Sequence, residues 1–152
     1  MTTLTDDADW SGILMVSVGV VGKSSGIKYG KYRYVTPGEV AVARLLDSMG
    51  VPFTPDVSIK VFHPDWSDTM PMVYVPDFIF DKRACIWTDR DGGREIVHGI
   101  EVKHRTRKSG MFPAKGLKKI AVLRKAKGIN IKIVDELTVQ KLTGLPITKF
   151  DI

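Results

Sequence analysis

Cysteine is almost absent from this chain of 152 residues, which carries only Cys85. A single thiol cannot form an internal disulfide, so a disulfide scaffold is excluded and a reducing, cytoplasmic setting is expected. Long apolar runs are absent as well. The longest, from Ile13 to Val21, is interrupted by Ser17 and Gly19 and is shorter than the roughly 20 residues that cross a bilayer. The residues before it are acidic, the wrong sign for a secretory signal, so we expect no membrane partner.

Acidic residues are missing from the stretch Lys103 to Lys132, which holds eleven Lys and Arg residues. The whole chain has 23 Lys and Arg against 17 Asp and Glu, a net charge of +6 with a pI near 9.5. Its 43% hydrophobic and 26% charged residues are typical of a globular protein, and the length fits one domain, 1–152, with one core. A basic half of this kind is compatible with a nucleic-acid partner.

The pattern of apolar residues predicts an α/β domain with a mixed sheet flanked by helices. The sequence Thr36-Pro37-Gly38-Glu39 has the form of a capping box and predicts the start of a helix, which Gly50 ends. The strand 96–104, the basic helix and the strand 129–134 should form a right-handed parallel crossover. The predicted strands are 13–21, 56–62, 72–80, 96–104 and 129–134, the basic helix is 114–127, and a short helix follows Asp135.

Ionisable residues stand in two of the predicted strands, where a buried strand should not hold them. Asp77 lies in one, and Glu101 and Lys103 lie in the next. Because strand side chains alternate between faces, Glu101 and Lys103 share a face with Gly99, which leaves room beside them. Buried charges cost several kcal/mol unless they pair or bind a metal. Two carboxylates brought together repel, and a divalent cation such as Mg²⁺ relieves the repulsion.

A Pro-Asp pair, Pro76-Asp77, is followed some twenty residues later by the Glu-x-Lys sequence Glu101-Val102-Lys103. This pattern on consecutive strands resembles the PD-(D/E)XK, or restriction-endonuclease-like, nuclease superfamily. The resemblance covers residues 36–134, the predicted core, and implies a fold of helix, three strands, helix and strand.

The resemblance also implies roles for individual residues. Asp77 and Glu101 would bind Mg²⁺, with Mn²⁺ able to substitute, helped by the backbone carbonyl of Val102 and by Glu39 on the first helix. Lys103 would orient or activate the attacking water. The implied reaction is in-line attack of a metal-bound water on a DNA phosphodiester, which leaves 5′-phosphate and 3′-hydroxyl ends.

Four stretches are similar to those of small phage junction-resolving endonucleases: a Gly- and Lys-rich arm, a helix glutamate, a Pro-Asp-Phe strand and a basic helix that leads into a final strand. Here they are 26–31, Glu39, Val75 to Phe78, and Lys118 to Val134. This similarity implies branched DNA as the substrate and a homodimer, because paired cuts need two sites. Transposon-end, restriction and nicking nucleases resemble the same core, and these alternatives stay open.

Basic residues at three places are candidates for contact with DNA phosphates, which position a duplex without reading its sequence. The loop after the Glu-x-Lys strand is the first, the basic helix is the second, and the Gly- and Tyr-rich arm within 10–35 is the third. The candidates are Arg105, Arg107, Lys108, Lys115, Lys118, Lys119, Lys28 and Lys31. The helix lysines are equally compatible with a solvated face, and the arm with a twisted hairpin. The helix should pack through Leu117, Ile120, Ala121 and Leu123.

Simpler interpretations compete with the nuclease hypothesis. Glu101 and Lys103 fit an exposed sheet face, and Glu39 fits a capping residue. A second function class is a nucleic-acid-binding protein without catalysis that uses the same core. The run from Ser17 to Ser24 imitates a phosphate-binding loop but has Ser where the first Gly belongs. The histidines lack zinc-ligand spacing, and His98 is expected to be a core histidine with a bonded partner.

Overall fold

The computed structural model describes residues 4–13, 16–17, 26–88, 91–103, 114–135 and 149–151. These ranges contain two helices, α1 (Pro37–Ser48) and α2 (Ala114–Lys127). The strands are β1 (Val16–Ser17), β2 (Ile27–Tyr29), β3 (Tyr32–Tyr34), β4 (Phe53–Pro55), β5 (Val57–Val61), β6 (Met72–Tyr74), β7 (Phe78–Phe80), β8 (Cys85–Thr88), β9 (Arg94–Val97), β10 (Gly99–Lys103), β11 (Ile131–Asp135) and β12 (Lys149–Asp151).

Helix α1 begins and ends as its sequence predicts. The Thr36 hydroxyl accepts a hydrogen bond from the Glu39 backbone N–H at 3.2 Å, and Glu39 Oε2 accepts one from the Thr36 N–H at 2.7 Å. This capping box satisfies two backbone donors of the first turn. Gly50 follows the helix with φ +69°, a conformation that favours glycine. The inward face includes Glu39, Val42 and Leu46, all buried.

Four strands form the central sheet in the order β11-β10-β7-β4. Strands β10 and β11 are parallel and are joined through α2, whereas β7 runs antiparallel to both β10 and β4. The predicted α/β fold with a mixed sheet is therefore confirmed, as is the parallel connection. The register pairs Ile100 with Phe78; continued by one residue, it places Asp77 opposite Glu101.

The predicted strand 72–80 is wrong as a single strand. It is divided into β6 and β7 by Val75–Asp77, and the two halves belong to different sheets, since β6 lies in the order β1-β5-β6. Pro76 has no N–H to donate to a ladder, which explains why pairing stops there. The predicted strand 96–104 is likewise divided at His98 into β9, in the sheet β12-β8-β9, and β10.

Three strands are missing from the prediction: β4, β8 and β12. Strand β4 lies beside β7 in the central sheet, whereas β5, which falls within the predicted strand 56–62, pairs with β1 and β6. Strand β8 pairs with β9. With three and four residues, β4 and β8 are too short to show a period of two clearly. Of the predicted strand 13–21, the structure describes only β1 and residue 13.

Apolar side chains form two core clusters that correspond to the two faces of the central sheet. Alternate residues of β7 divide between them, because Phe78 and Phe80 join the cluster of α1 while Ile79 joins the cluster of α2. The first cluster contains Leu46 and Ile100, and both are at most 1% exposed. One helix thus covers each face, and the ends of β7 and β10 are held between them.

Helix α2 has the predicted bounds, and Ile120 and Leu123 pack into the core as predicted, but the rest of its packing face differs. Its buried residues are Val122 and Leu123, whereas Ala121 is exposed and Leu117 is 37% exposed. The larger Val122 side chain faces the cluster around Ile129 in place of the small Ala121. The amino-terminal half of α2 therefore packs less tightly than expected, and it adjoins the end of β10.

Gly99 is required at the start of β10. A Cβ atom there would lie 2.3 Å from the Phe78 carbonyl oxygen and 2.9 Å from Ile79 Cδ1. We expect Gly99→Ala to lower the free energy of unfolding by about 3 kcal/mol, because the backbone of β7 must move, as urea denaturation would measure. Gly116→Ala is the matched control: its Cβ meets only the flexible end of Lys103, and helix propensity should leave stability unchanged or slightly higher. Equal midpoints for wild type and Gly99→Ala would contradict the packing argument.

Candidate active site

Four predicted site residues come together where three elements meet. Asp77 lies in the break before β7, Glu101 and Lys103 lie on β10, and Glu39 lies in the first turn of α1. The Val102 N–H donates to Asp77 Oδ2 at 2.7 Å, and the Asp77 N–H donates to Glu101 Oε2 at 3.1 Å. These reciprocal bonds fix the two carboxylates beside each other.

The other two members of the group complete the cluster. Lys103 Nζ lies 3.2 Å from Glu101 Oε1. The side chain of Glu39 lies within hydrogen-bonding reach of Asp77, while it also closes the capping box of α1. The capping and active-site interpretations of Glu39 are therefore compatible, because one carboxyl group reaches both Thr36 and Asp77.

Burial makes this group of acids electrostatically strained. Glu39 and Glu101 are only 7% and 6% exposed. Burial raises the pKa of Asp77 to about 8, and the nearby Glu101 and Glu39 add to the rise. Burial also raises the pKa of Glu101, although Lys103, Tyr74 and the Asp77 N–H oppose it. With a pKa of about 8, Asp77 favours its protonated form near neutral pH when no cation is bound.

The chemistry of the donors fits a hard divalent cation, although the arrangement limits how one could bind. Carboxylate oxygens are the ligands that Mg²⁺ and Mn²⁺ prefer. Asp77 Oδ2, Glu101 Oε2 and Glu39 Oε2 already accept hydrogen bonds from the protein. Within the described ranges, no group of three or more His, Cys, Asp or Glu side chains is arranged to hold a metal ion. Asp77 and Glu101 would therefore be the principal ligands, and Glu39, whose Oε2 is engaged in the capping box, would join through its other oxygen or through water.

Lys103 stands at the open side of the cluster. Its side chain is 28% exposed. The Lys103 side chain passes close to Gly116 in the first turn of α2, where a Cβ atom would lie 3.3 Å from Lys103 Cε. The ammonium group can therefore meet both Glu101 and solvent. Val102, between Glu101 and Lys103, is 8% exposed, and ligation by its carbonyl stays a prediction.

Tyr74 belongs to the site and was not predicted. Its hydroxyl donates to Glu101 Oε2 at 3.1 Å, and its side chain is 5% exposed. Burial, followed by the charge of Glu101, raises the pKa of the phenol, so it stays neutral. In one continuous strand Tyr74 and Asp77, three residues apart, would face opposite sides. The break at Pro76 removes that alternation and brings both to Glu101.

The candidate DNA-contact residues are placed only in part. Lys28 and Lys31 are exposed on the β2–β3 hairpin, and the predicted hairpin is confirmed; the Tyr29 hydroxyl ties it to Asp47 of α1 at 2.8 Å. Lys115 is exposed. The ammonium groups of Lys118 and Lys119 lie 5.3 and 5.7 Å from the centre of the Trp66 ring. Arg105, Arg107 and Lys108 lie outside the described residues, as do residues 18–24 of the phosphate-loop-like run.

His98 has the structural role expected from its position. It is 2% exposed, its Nε2 lies 2.7 Å from Asp6 Oδ1, and its Nδ1 accepts the Asn130 N–H at 2.8 Å. An acceptor at Nδ1 requires the proton on Nε2, so His98 donates to Asp6. The residue fixes the break between β9 and β10 and belongs to no catalytic cluster in the described chain.

Comparisons with known proteins found no relative of this chain. No protein-family model, no curated protein and no solved structure matches the chain. Neither described helix is long and apolar enough to cross a membrane.

The raised pKa of Asp77 predicts a pH-dependent stability in the absence of divalent cations. An acid whose pKa is higher in the folded than in the unfolded state binds more protons when folded, so stability falls as the pH rises from about 4 through about 8. Asp77→Asn keeps an oxygen for the Val102 N–H and removes the charge. In EDTA, we expect the variant to become more stable than wild type by about 2 kcal/mol or more at pH 8.5, measured by urea denaturation. A pH-independent difference between the two proteins would contradict the expectation.

Proposed function

We propose that this protein is a Mg²⁺-dependent endonuclease that hydrolyses DNA phosphodiester bonds and has the restriction-endonuclease-like core. The observation that carries the proposal is how Asp77 and Glu101 are held together: the Val102 N–H donates to Asp77, the Asp77 N–H donates to Glu101, and Lys103 pairs with Glu101. Glu101 is buried and Asp77 is half-buried. Two carboxylates so close in such a place are costly, and a cation that bridges them would remove the cost.

The order of elements around the central sheet supports the proposal. Along the chain, that sheet and its helices read α1, β4, β7, β10, α2 and β11, which is helix, three strands, helix and strand. This is the core that the sequence resemblance implies for residues 36–134. The same resemblance supports the assignment of Asp77 and the Glu101-Val102-Lys103 sequence to one site.

Each residue has a role that its surroundings favour. Asp77 and Glu101 would hold the divalent cation, which when bound supplies a Lewis acid and an activated water. Lys103, beside Glu101 and partly exposed, would position the attacking water and neutralise charge on the phosphate. Glu39 would act on the site through Asp77, either from its capping position or through water.

We extend the proposal to branched DNA as the substrate and to a homodimer as the active form. Similarity to small phage junction-resolving endonucleases supports both, as does the presence of one Glu-x-Lys cluster per chain, because paired cuts need two. The basic hairpin β2–β3, with exposed Lys28 and Lys31, is a candidate for contact with a DNA arm. Transposon-end, restriction and nicking nucleases are alternatives within the same class.

The proposal predicts cation-dependent cleavage. Linear, flap and four-way DNA of matched sequence should be incubated with the protein in Mg²⁺, Mn²⁺ or EDTA, and products resolved on denaturing gels. We expect cleavage of four-way DNA in either cation and none in EDTA. Asp77→Asn and Lys103→Met should each reduce the rate at least about 100-fold, because each removes a charge that acts on the transition state.

The matched control is Asp68→Asn, which removes an exposed carboxylate from a loop and should cleave like wild type. Inertness of the wild-type protein toward all three DNA forms in both cations would contradict the catalytic proposal. Preference for linear DNA would contradict only the choice of branched substrate.

One observation favours a second candidate function, nucleic-acid binding without catalysis. Several oxygens of the cluster already accept hydrogen bonds from protein donors, and Glu39 Oε2 is engaged in the capping box of α1. In that case the carboxylates stabilise the break before β7 and no cleavage occurs in any cation. The wild-type cleavage assay separates the two, since a binder would shift DNA in a gel and leave it intact.

Either function predicts a contribution of the α2 lysines to DNA binding. We expect the double variant Lys118→Gln/Lys119→Gln to bind more weakly and to lower the slope of log K against log salt concentration by about 2, as for two phosphate contacts. Fluorescence anisotropy with labelled DNA measures the slope. Lys125→Gln is the control, because Asp65 lies 2.6 Å from Lys125. An unchanged slope in the double variant would exclude these lysines from the interface.

A further inference from the structure

Glu101 has an unequal pair of oxygens. Its Oε2 accepts two hydrogen bonds, from the Tyr74 hydroxyl and from the Asp77 backbone N–H, both at 3.1 Å. Its Oε1 faces only the ammonium of Lys103, at 3.2 Å, among the contacts of the described residues. Two donors occupy the lone pairs of one carboxylate oxygen. Oε1 is therefore the oxygen that a cation can reach.

Tyr74 is held firmly in the position from which it acts. Its ring is 5% exposed and packs in the α2-side cluster with Ile59 and Ile79. The backbone of β6 is fixed by pairing of Tyr74 with Ile59. The hydroxyl therefore cannot swing away from Glu101 without loss of core packing, and Glu101 cannot rotate without leaving a buried hydroxyl unpaired.

We propose that Tyr74 is a positioning residue that restricts Glu101 to a single metal-binding oxygen, and that the site thereby selects Mg²⁺ and Mn²⁺ over Ca²⁺. This inference rests on the proposed metal site. Ca²⁺ takes six to eight oxygens and readily accepts both oxygens of one carboxylate, whereas Mg²⁺ is smaller and demands near-octahedral geometry. A glutamate limited to one oxygen, beside an aspartate whose Oδ2 accepts the Val102 N–H, offers too few ligands for Ca²⁺.

The decisive variant is Tyr74→Phe, which keeps the ring and removes the hydroxyl. Without that donor, one lone pair of Oε2 is freed while the Asp77 N–H keeps the other, and Glu101 can bind through both oxygens. Loss of an outer-shell partner typically changes metal affinity by 10- to 100-fold. We expect the affinity for Mn²⁺ to fall about 10-fold, and the ratio of the Ca²⁺ to the Mn²⁺ dissociation constant to fall by at least about 10-fold.

Binding is measured on the full chain by the electron paramagnetic resonance signal of free Mn²⁺, first in titration and then in competition with Ca²⁺. Tyr34→Phe is the matched control, because Tyr34 is also buried, at 2%, but belongs to the α1-side cluster. It should bind both cations like wild type. Near-ultraviolet circular dichroism checks that each variant is folded, and Tyr74→Met, which lacks a hydroxyl but keeps an apolar side chain, replaces the Phe variant if that one is unfolded.

The outcomes separate this inference from the proposed function. A Mn²⁺ site that Asp77→Asn abolishes, with the selectivity change in Tyr74→Phe, supports the inference even if no DNA is cleaved. An active wild-type enzyme with an unchanged Ca²⁺ to Mn²⁺ ratio in Tyr74→Phe overturns the inference alone. Absence of any Mn²⁺ binding by the wild type overturns both. Where cleavage occurs, Tyr74→Phe should lower kcat while KM for DNA stays within twofold. Near-ultraviolet circular dichroism separates this result from a lower kcat caused by a loss of folded protein.

Discussion

The close approach of three carboxylates, two of them buried (Glu39 and Glu101) and one half-buried (Asp77), is the constraint on which the rest of this structure depends. Asp77, Glu101 and Glu39 come from a strand break, a strand and a helix start, so their contact couples the three elements. In a buried site, the repulsion among them is weakly screened, and the fold tolerates it through a proton on Asp77 and through donors aimed at single oxygens. The Val102 and Asp77 N–H groups, the Thr36 N–H and the Tyr74 hydroxyl all serve this purpose. A divalent cation at the same place would replace the proton, so metal binding and proton release should be coupled.

The break at Val75–Asp77 makes this arrangement possible. Strand β6 lies in one sheet and β7 in another, so the backbone between them leaves the ladder where Pro76 cannot donate. The Asp77 N–H then points to a side chain, Glu101, and the Asp77 carboxylate accepts the N–H of Val102. A continuous strand would have used the Asp77 backbone for pairing and turned Tyr74 to the other face. The Pro-Asp pair thus has a structural role. Because Pro76 ends the strand pairing, the Asp77 N–H is available to donate to Glu101, and this contact positions the Asp77 carboxylate.

Sequence reasoning predicted the parts of the fold that depend on local chemistry. The capping box at Thr36 and Glu39, the bounds of α2 and the shared face of Gly99, Glu101 and Lys103 follow from turn residues and from alternation. It failed where tertiary pairing overrides a local pattern. The runs 72–80 and 96–103 are each apolar enough to be predicted as one strand. Pro76 marks the point where the first run is interrupted, but nothing local shows that the two halves of either run pair in different sheets. Tyr74 was missed because its contact with Glu101 depends on the division of that strand. The buried face of α2 was predicted incorrectly in part because Ala121 and Val122 are adjacent and both apolar, so only the surface they pack against decides which one is buried.

A second break supports the first from the other strand. His98 interrupts the alternation before β10, and its backbone makes hydrogen bonds to the segments on both sides. Its carbonyl accepts from the Phe80 N–H, and its N–H donates to the Asn130 carbonyl. Its side chain accepts from Asn130 and donates to Asp6, which anchors the amino-terminal segment to the same point. Register in a sheet is weakly specified unless something fixes it, and a slip of one residue would turn Glu101 to the opposite face. Gly99, where a Cβ would clash with the Phe78 carbonyl, fixes the register on one side, and His98 fixes it on the other. The geometry of the candidate site is therefore supported by two residues that do not belong to it, and the polar cluster around His98 is explained as the support of β10.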